Sequence, residues 1–424
     1  MDNPRSLSIS PSNTLIKSAL GGWALWLIAA IFYAYEFIHR VVPSILTEEL
    51  REAFSVNEHQ LGLIGAMYFY AYAAFQLPAG ILVDKYGAKR LLVFASTILT
   101  LGSFLFTTTS SSAIAQISRF MIGTGSAFAF VGCLKIGGQW LAVSSFPLVV
   151  GLTNFFGTMG ALTGGKPLAH LVQEFGWQHV MMLVSFAGLF ITVLMWLFLH
   201  DKTLNKEEQQ KQTPLTLLSG LKTVMRCPQS WLIALYGALL VAPIVALPEM
   251  WGVEYLKLTY DISAANASAI THTIFIGTAV GGAIIGWAMT YIQNRLRFMM
   301  FSTLGALILL CLFLYWNNLA FSQLYIVLFC YGALTSNMLL SFTLITKLHP
   351  TYAQGAAIGF TNMIIMAFGG LMQHGIGWLL HTFKSENQGV ALIADYHIAF
   401  CLLPICLGMA VLLTFFIRQQ CNDA

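Results

Sequence analysis

The chain has 424 residues, of which 57% are hydrophobic, 13% aromatic and only 9% charged, with a formal net charge of +4. A soluble domain carries about 25% charged residues, so this composition excludes a soluble globular protein and indicates a polytopic membrane protein. No polar segment is long enough to house a catalytic domain, and the few basic residues are those that membrane orientation requires, so neither an enzyme nor a nucleic-acid binder is expected.

A hydrocarbon core about 30 Å thick takes roughly 20 apolar residues per helix. Twelve segments meet that need: 19–42, 60–83, 90–109, 113–139, 146–172, 178–199, 230–253, 266–290, 298–316, 321–345, 354–381 and 396–417. The reading is an all-α membrane protein of twelve transmembrane helices in two six-helix bundles. Its parts are a tail over 1–18, a first bundle over 19–200, a linker over 201–229, a second bundle over 230–418 and a tail over 419–424. The linker is the one long polar stretch and turns amphipathic through Leu215–Met225, as expected of a charged tether followed by a surface helix. Lys and Arg set the orientation. With both termini inside, the cytoplasmic loops hold Arg5, Lys17, Lys85, Lys89, Arg90, Lys202, Lys206, Lys211, Lys222, Arg226, Arg295, Arg297, Lys347 and Arg418, against Arg51, Lys257 and Lys384 outside. The seven cysteines form no Cys-x-x-Cys, and the ten histidines have no ligand spacing, so no disulfide framework, metal or cofactor is expected.

The first span contains Tyr33, Glu36, His39 and Arg40. Glu36 and Arg40 are four apart and share a helix face. They either neutralise each other or serve a solute, Arg40 forking onto a carboxylate and Glu36 taking an ammonium group or a proton. After the second span comes Gly80-Ile-Leu-Val-Asp84-Lys85-Tyr-Gly87-Ala-Lys89-Arg90. Gly80 allows close helix contact, Gly87 permits the turn, and Asp84 can cap a helix or pair with a cation in one state and not another. The second half echoes it at Gly286, Arg295 and Arg297, with Thr290 where an Asp would match.

The fourth span carries Arg119-Phe-Met-Ile-Gly123-Thr-Gly125, and a charge inside a span marks a functional site by default, at a cost of about 3 kcal/mol on insertion scales. Lys135 lies 16 residues later, turned by roughly 160°, so it is read as an inner gate or a snorkelling residue. Gly160 and Gly164 in the fifth span, like Gly123 and Gly125, suit tight helix packing. Glu249, in Ala-Leu-Pro248-Glu249-Met-Trp251-Gly, suits a broken helix beside a cavity. With His272 and His374 these groups lie at comparable depth and suggest a polar vestibule for substrate binding or coupling.

The Gly80–Arg90 turn is similar to the signature loop of the major facilitator superfamily, and Arg119 to Gly125 resembles its second signature. That resemblance implies two rocking six-helix halves, a small-molecule substrate between them, membrane lipid around them, protons as a candidate coupled solute, and a monomer. Gly160-Ala161-Leu-Thr-Gly164-Gly165 departs from the Gly-Pro-x-x-Gly-Gly of proton-driven drug exporters at Ala161. The stretches Glu36–Ser44, Phe130–Lys135, Met250–Val253 and Gly286-Trp287 resemble the phagosomal-transporter branch of intracellular bacteria and, more weakly, the lysosomal dipeptide branch. They imply a transporter in a bacterial inner membrane that imports a small zwitterion such as an amino acid. A dipeptide or nucleoside transporter, or an exporter of drugs or siderophores, is the alternative.

Overall fold

The computed structural model describes residues 11–201, 214–289, 291–292, 294–316, 319–350, 353–383 and 392–418. The described chain is helical throughout. The first span is Pro11–Val41 and runs through a tight turn at Val42–Ser44 into a short helix, Thr47–Ala53. The second, Glu58–Tyr86, starts at a capping box: Asn57 Oδ1 accepts the Gln60 N–H at 2.9 Å and Gln60 Oε1 accepts the Asn57 N–H at 3.2 Å. The third is Ala88–Thr108 and the sixth Trp177–Phe198. The fourth is broken into Ser112–Ser126 and Ala129–Trp140, the fifth into Phe146–Thr163 and Lys166–Phe175.

A linking helix, Pro214–Arg226, precedes the second half. The seventh span runs from Pro228 to Tyr260 and widens into a π-turn at Leu247–Trp251. Then come Ala264–Ala288, Arg295–Tyr315, Phe321–Leu348, Gln354–Phe383 and Ile393–Leu413. Ten helices among the described residues are long and apolar enough to cross a membrane. The second, carrying Tyr68, Tyr70, Tyr72, Gln60 and Gln76, and the fifth, divided at Gly164-Gly165, complete the twelve-helix arrangement.

Four local features differ from the sequence reading. The first helix already exists at Pro11, and the seventh continues to Tyr260 rather than ending near 253. The break at Ala127–Phe128 interrupts the count that set Lys135 at 160° from Arg119. Cys227 is disulfide-bonded, a pairing that the cysteine spacing gave no sign of.

Glycine sets how closely the helices approach. A Cβ at Gly123 would strike the carbonyl of Tyr68 on the second span, and one at Gly160 the carbonyl of Ala34 on the first. Gly125 and Gly164 lie likewise against the third and first spans. Helix association in lipid rests on such backbone contact, because lipid tails are as apolar as leucine. Large apolar side chains of the sixth, ninth and twelfth spans, among them Phe190, Trp196, Phe301, Ile308, Leu412 and Phe415, point outward as lipid-facing groups do.

The two halves meet along three seams: second against eleventh span, fifth against eighth, and the end of the first against the π-turn of the seventh. One end of the bundle carries the start of the first helix and the turn at Gly87; it is called the terminal end here. The other, the far end, carries the Thr47–Ala53 helix and the close of the seventh span. Contacts across the seams crowd the far end. Lys257 binds Glu48 at 3.1 Å, His381 approaches Glu58 at 3.8 Å, and a Cβ on Gly377 would lie 2.9 Å from the Trp251 ring and close to the carbonyl of Glu58. The far end is therefore shut.

Candidate functional site

Four ionisable side chains of the spans are withdrawn from water between the halves: Glu36 and Glu249 are 0% exposed, Arg119 2% and Arg40 7%. Charges so placed persist only with partners. Arg40 Nε donates to Glu249 Oε1 at 3.0 Å, joining the first span to the seventh. The guanidinium also lies 5.2 Å from the Phe37 ring centre and 5.3 Å from that of Phe69, which screen it from lipid. Glu249 reaches this place because it sits in the π-turn. Pro243 inside the helix and Pro248 in the turn each remove a backbone N–H, so the helix widens and turns the carboxylate inward.

Glu36 is not paired with Arg40 in this arrangement. Tyr68 Oη donates to Glu36 Oε2 at 2.7 Å, and Oε1 has no partner. The same tyrosine ring lies under Arg119, 5.0 Å from its Cζ. Arg119 Nη1 donates to the carbonyl of His39 at 2.8 Å, and its Nε has no partner. Among the described residues, no carboxylate lies within ion-pair distance of Arg119. Tyr68 thus stands between a carboxylate and a guanidinium, touching one through its hydroxyl and the other through its face.

The remaining candidates fall around this cluster in different ways. Tyr33 packs edge-on against Phe37 at 5.1 Å and tilted against Phe130 at 5.4 Å, part of an aromatic wall. His39 is buried, its ring edge-on to Tyr35, and it reaches Arg119 through its backbone rather than its imidazole. His272 sits 3.0 Å from the Pro248 carbonyl through Nε2 and 3.3 Å from Ser268 Oγ through Nδ1. A carbonyl only accepts, so Nε2 carries the proton and Nδ1 accepts from the serine. His272 therefore braces the π-turn that holds Glu249. His374 stands apart from the cluster, with Nε2 2.8 Å from His59 Nε2. Lys135 is half-buried on the terminal-end segment of the fourth span.

In the turn after the second span, Lys85 lies over the Tyr86 ring at 5.1 Å and Arg90 is exposed. Gly80 has open space where a Cβ would stand. The Asp84 side chain and Thr290 lie outside the described residues. Among the described residues, an acid that holds this turn is Asp201, after the sixth span. Its Oδ1 accepts the Lys89 N–H at 3.1 Å at the start of the third helix, and its carboxylate lies against Gly87. Gly87 has φ of 88°, a conformation that suits glycine. Sequence reasoning passed over Tyr68 and His59, and used Lys257 only to set orientation and Asp201 only as the start of the linker. Only Tyr68 had a visible signal, as one of three alternate tyrosines inside a span.

The profile of the Major Facilitator Superfamily matches residues 25–373. The chain belongs to that superfamily. Among curated superfamily relatives, the probable sulfoacetate transporter SauU of Cupriavidus necator is 27% identical over 41% of this chain and 40% of its own length. The hexuronate transporter of Bacillus subtilis is 25% identical over 61% of this chain and 62% of its own length. The probable galactarate/D-glucarate transporter GarP of Escherichia coli is 26% identical over 43% and 42%. The match thus spans from two fifths to under two thirds of these relatives' lengths. Solved structures share the fold. A bacterial homologue of the human lysosomal transporter Spinster, inward-facing and unoccupied, superposes with a TM-score of 0.75 at 14% identity, covering 95% of this chain and 99% of its own. The D-xylose-proton symporter gives 0.71 at 13% identity, covering 93% and 97%. As a superfamily member the chain is a multi-pass membrane protein, and the relatives and structural neighbours named here are described as transporters rather than enzymes.

Proposed function

We propose that the chain is a secondary active transporter that imports a small zwitterionic carboxylate, such as an amino acid, by alternating access. The Arg40–Glu249 pair carries this reading. It is buried and joins the two halves, and it offers a cation and an anion side by side. A zwitterion entering between them exchanges one ion pair for two: its carboxylate takes Arg40 and its ammonium takes Glu249. No charge is then left buried without a partner, which would cost about 3–5 kcal/mol. Releasing Arg40 from Glu249 would also free the halves to rock. The unpaired Oε1 of Glu36 is the place where a coupled proton would ride. The distribution of Lys and Arg supports a terminal end in the cytoplasm of a bacterial inner-membrane protein, so that an imported solute would enter at the far end.

A second reading has its own support. Arg119 has no carboxylate partner among the described residues, and several relatives are described as transporters of sulfoacetate, hexuronate or glucarate. Under it the solute is an organic anion held by Arg119. The test is uptake of labelled amino acids and of labelled glucarate into proteoliposomes, with and without a pH gradient. The zwitterion reading expects amino-acid uptake that Glu249→Gln abolishes. Uptake of glucarate alone, kept in Glu249→Gln and lost in Arg119→Gln, would replace it with the anion reading. Export of dyes or siderophores with no uptake of either class would sink both.

A further inference from the structure

We propose that His59 and His374 form a proton-operated latch across the far end of the bundle, closed by the first proton and released by the second. The two imidazoles come from different halves, His59 from the second span and His374 from the eleventh. Their Nε2 atoms face each other at 2.8 Å, with ring centres 4.8 Å apart and planes 19° from parallel. Two facing ring nitrogens attract only if one carries hydrogen and the other does not. The neutral pair meets that condition in complementary tautomers. One added proton gives a charge-assisted bond between imidazolium and imidazole, which is stronger. A second leaves two donors and two positive charges face to face.

The helices that carry the two rings touch closely beside them. A Cβ at Gly62, one turn from His59, would lie 2.9 Å from the Gln373 carbonyl and 3.3 Å from the α-carbon of His374. Repulsion between the rings therefore bears directly on this contact between the halves. Other groups nearby are already engaged. Tyr70 Oη lies 3.5 Å from His374 Nδ1. Glu58 is bound by Arg51 at 3.0 Å and approached by His381 at 3.8 Å, while Lys257 is held between Glu48 and Glu254. From the twelfth span, Asp395 accepts its own helix-start N–H at Leu392. Among the described residues, no carboxylate pairs with either imidazole of the latch to stabilise a second charge. Both rings are partly exposed, so protons from solution reach them. Histidine takes up its proton between about pH 5 and about pH 8, so the first proton tightens the seam in that range, and the second, opposed by the charge of the first, opens the far side only at lower pH.

The consequence for transport rests on the alternating-access reading, but the latch is measurable without any solute. Hydrogen exchange of the full chain in nanodiscs, corrected for intrinsic rates, is followed over residues 58–66 and 370–378. Protection is expected to hold or rise as the pH falls from about 7.5 through histidine's ordinary range, where the first proton is taken up, and then to fall about tenfold or more by about pH 4, as the second is forced on. His59→Gln and His374→Gln keep hydrogen-bonding groups but cannot titrate, and each should make protection independent of pH. His381→Gln should retain the wild-type dependence. If the wild type shows no dependence, if both glutamine variants keep it, or if His381→Gln removes it, the latch is wrong. Thermal unfolding checks that each variant is folded, and His59→Asn and His374→Asn replace any that is not. A protein that transports yet has pH-independent exchange sinks the latch alone; one that opens with acid yet carries no solute sinks the transport reading alone.

Discussion

Arg40 is the residue whose removal separates stability from transport. Arg40→Ala leaves Glu249 buried without a counter-charge, and the expected loss of stability is about 3–5 kcal/mol. The double replacement Arg40→Met with Glu249→Leu removes both charges, and its unfolding temperature should return to near wild type while solute uptake stays at background. Both readouts come from one preparation, by thermal unfolding in detergent and by proteoliposome uptake. Tyr68→Phe keeps the ring under Arg119 and removes the hydroxyl from Glu36, costing about 1–3 kcal/mol for the acceptor left unsatisfied. At this scale the sequence was informative about charge and silent about pairing. Glu36, Arg40, Arg119 and Glu249 stood out because an ionised group inside lipid needs a reason. That Arg40 meets a carboxylate 209 residues away, rather than the one four residues back, follows only from how the halves pack. Tyr68 and His59 drew no attention, because tyrosine and histidine are ordinary at a span's end or face.

Between residues and whole spans, the turns and breaks decide where the groups point. Asp201 holds the turn that joins the second and third spans by accepting the Lys89 N–H. Asp201→Ala is expected to cost about 0.5–2 kcal/mol, as removal of a helix cap does, seen as a lower unfolding temperature. Gly160→Val places a branched side chain against the carbonyl of Ala34 and should drive the first and fifth spans apart, with an overpacking cost of about 1–3 kcal/mol or a failure to accumulate in the membrane. Helix positions were legible because length and apolarity are forced by bilayer thickness. Breaks were legible unevenly. Pro248 beside Glu249 announced the π-turn. The interruption at Ala127–Phe128 follows no proline, and its neighbours Gly123 and Gly125 were read only as packing residues.

Across the whole molecule, the far end is closed by charge as well as by contact. Lys257 bridges Glu48 of the first half and Glu254 of its own helix. Lys257→Glu or Glu48→Lys alone places like charges at the seam and should raise the reactivity of a thiol placed near Gln60 toward a membrane-impermeant reagent. The double swap should restore wild-type reactivity. The pair is partly exposed, so the effect is expected to be worth under about 1 kcal/mol and to fade in high salt. The two-half layout was readable from the spacing of apolar runs; which end is shut was not, because it depends on contacts between distant segments. The union of Arg40 with Glu249 also bears on biogenesis. While the ribosome has delivered only the first six helices, Arg40 has no Glu249 to meet and must stay hydrated or snorkelled toward headgroups. Sealing of the core thus waits for the seventh helix to enter the bilayer. Coexpressed half-chains should assemble when both members are present and be degraded when either is replaced, so the pair acts as a checkpoint on completed synthesis.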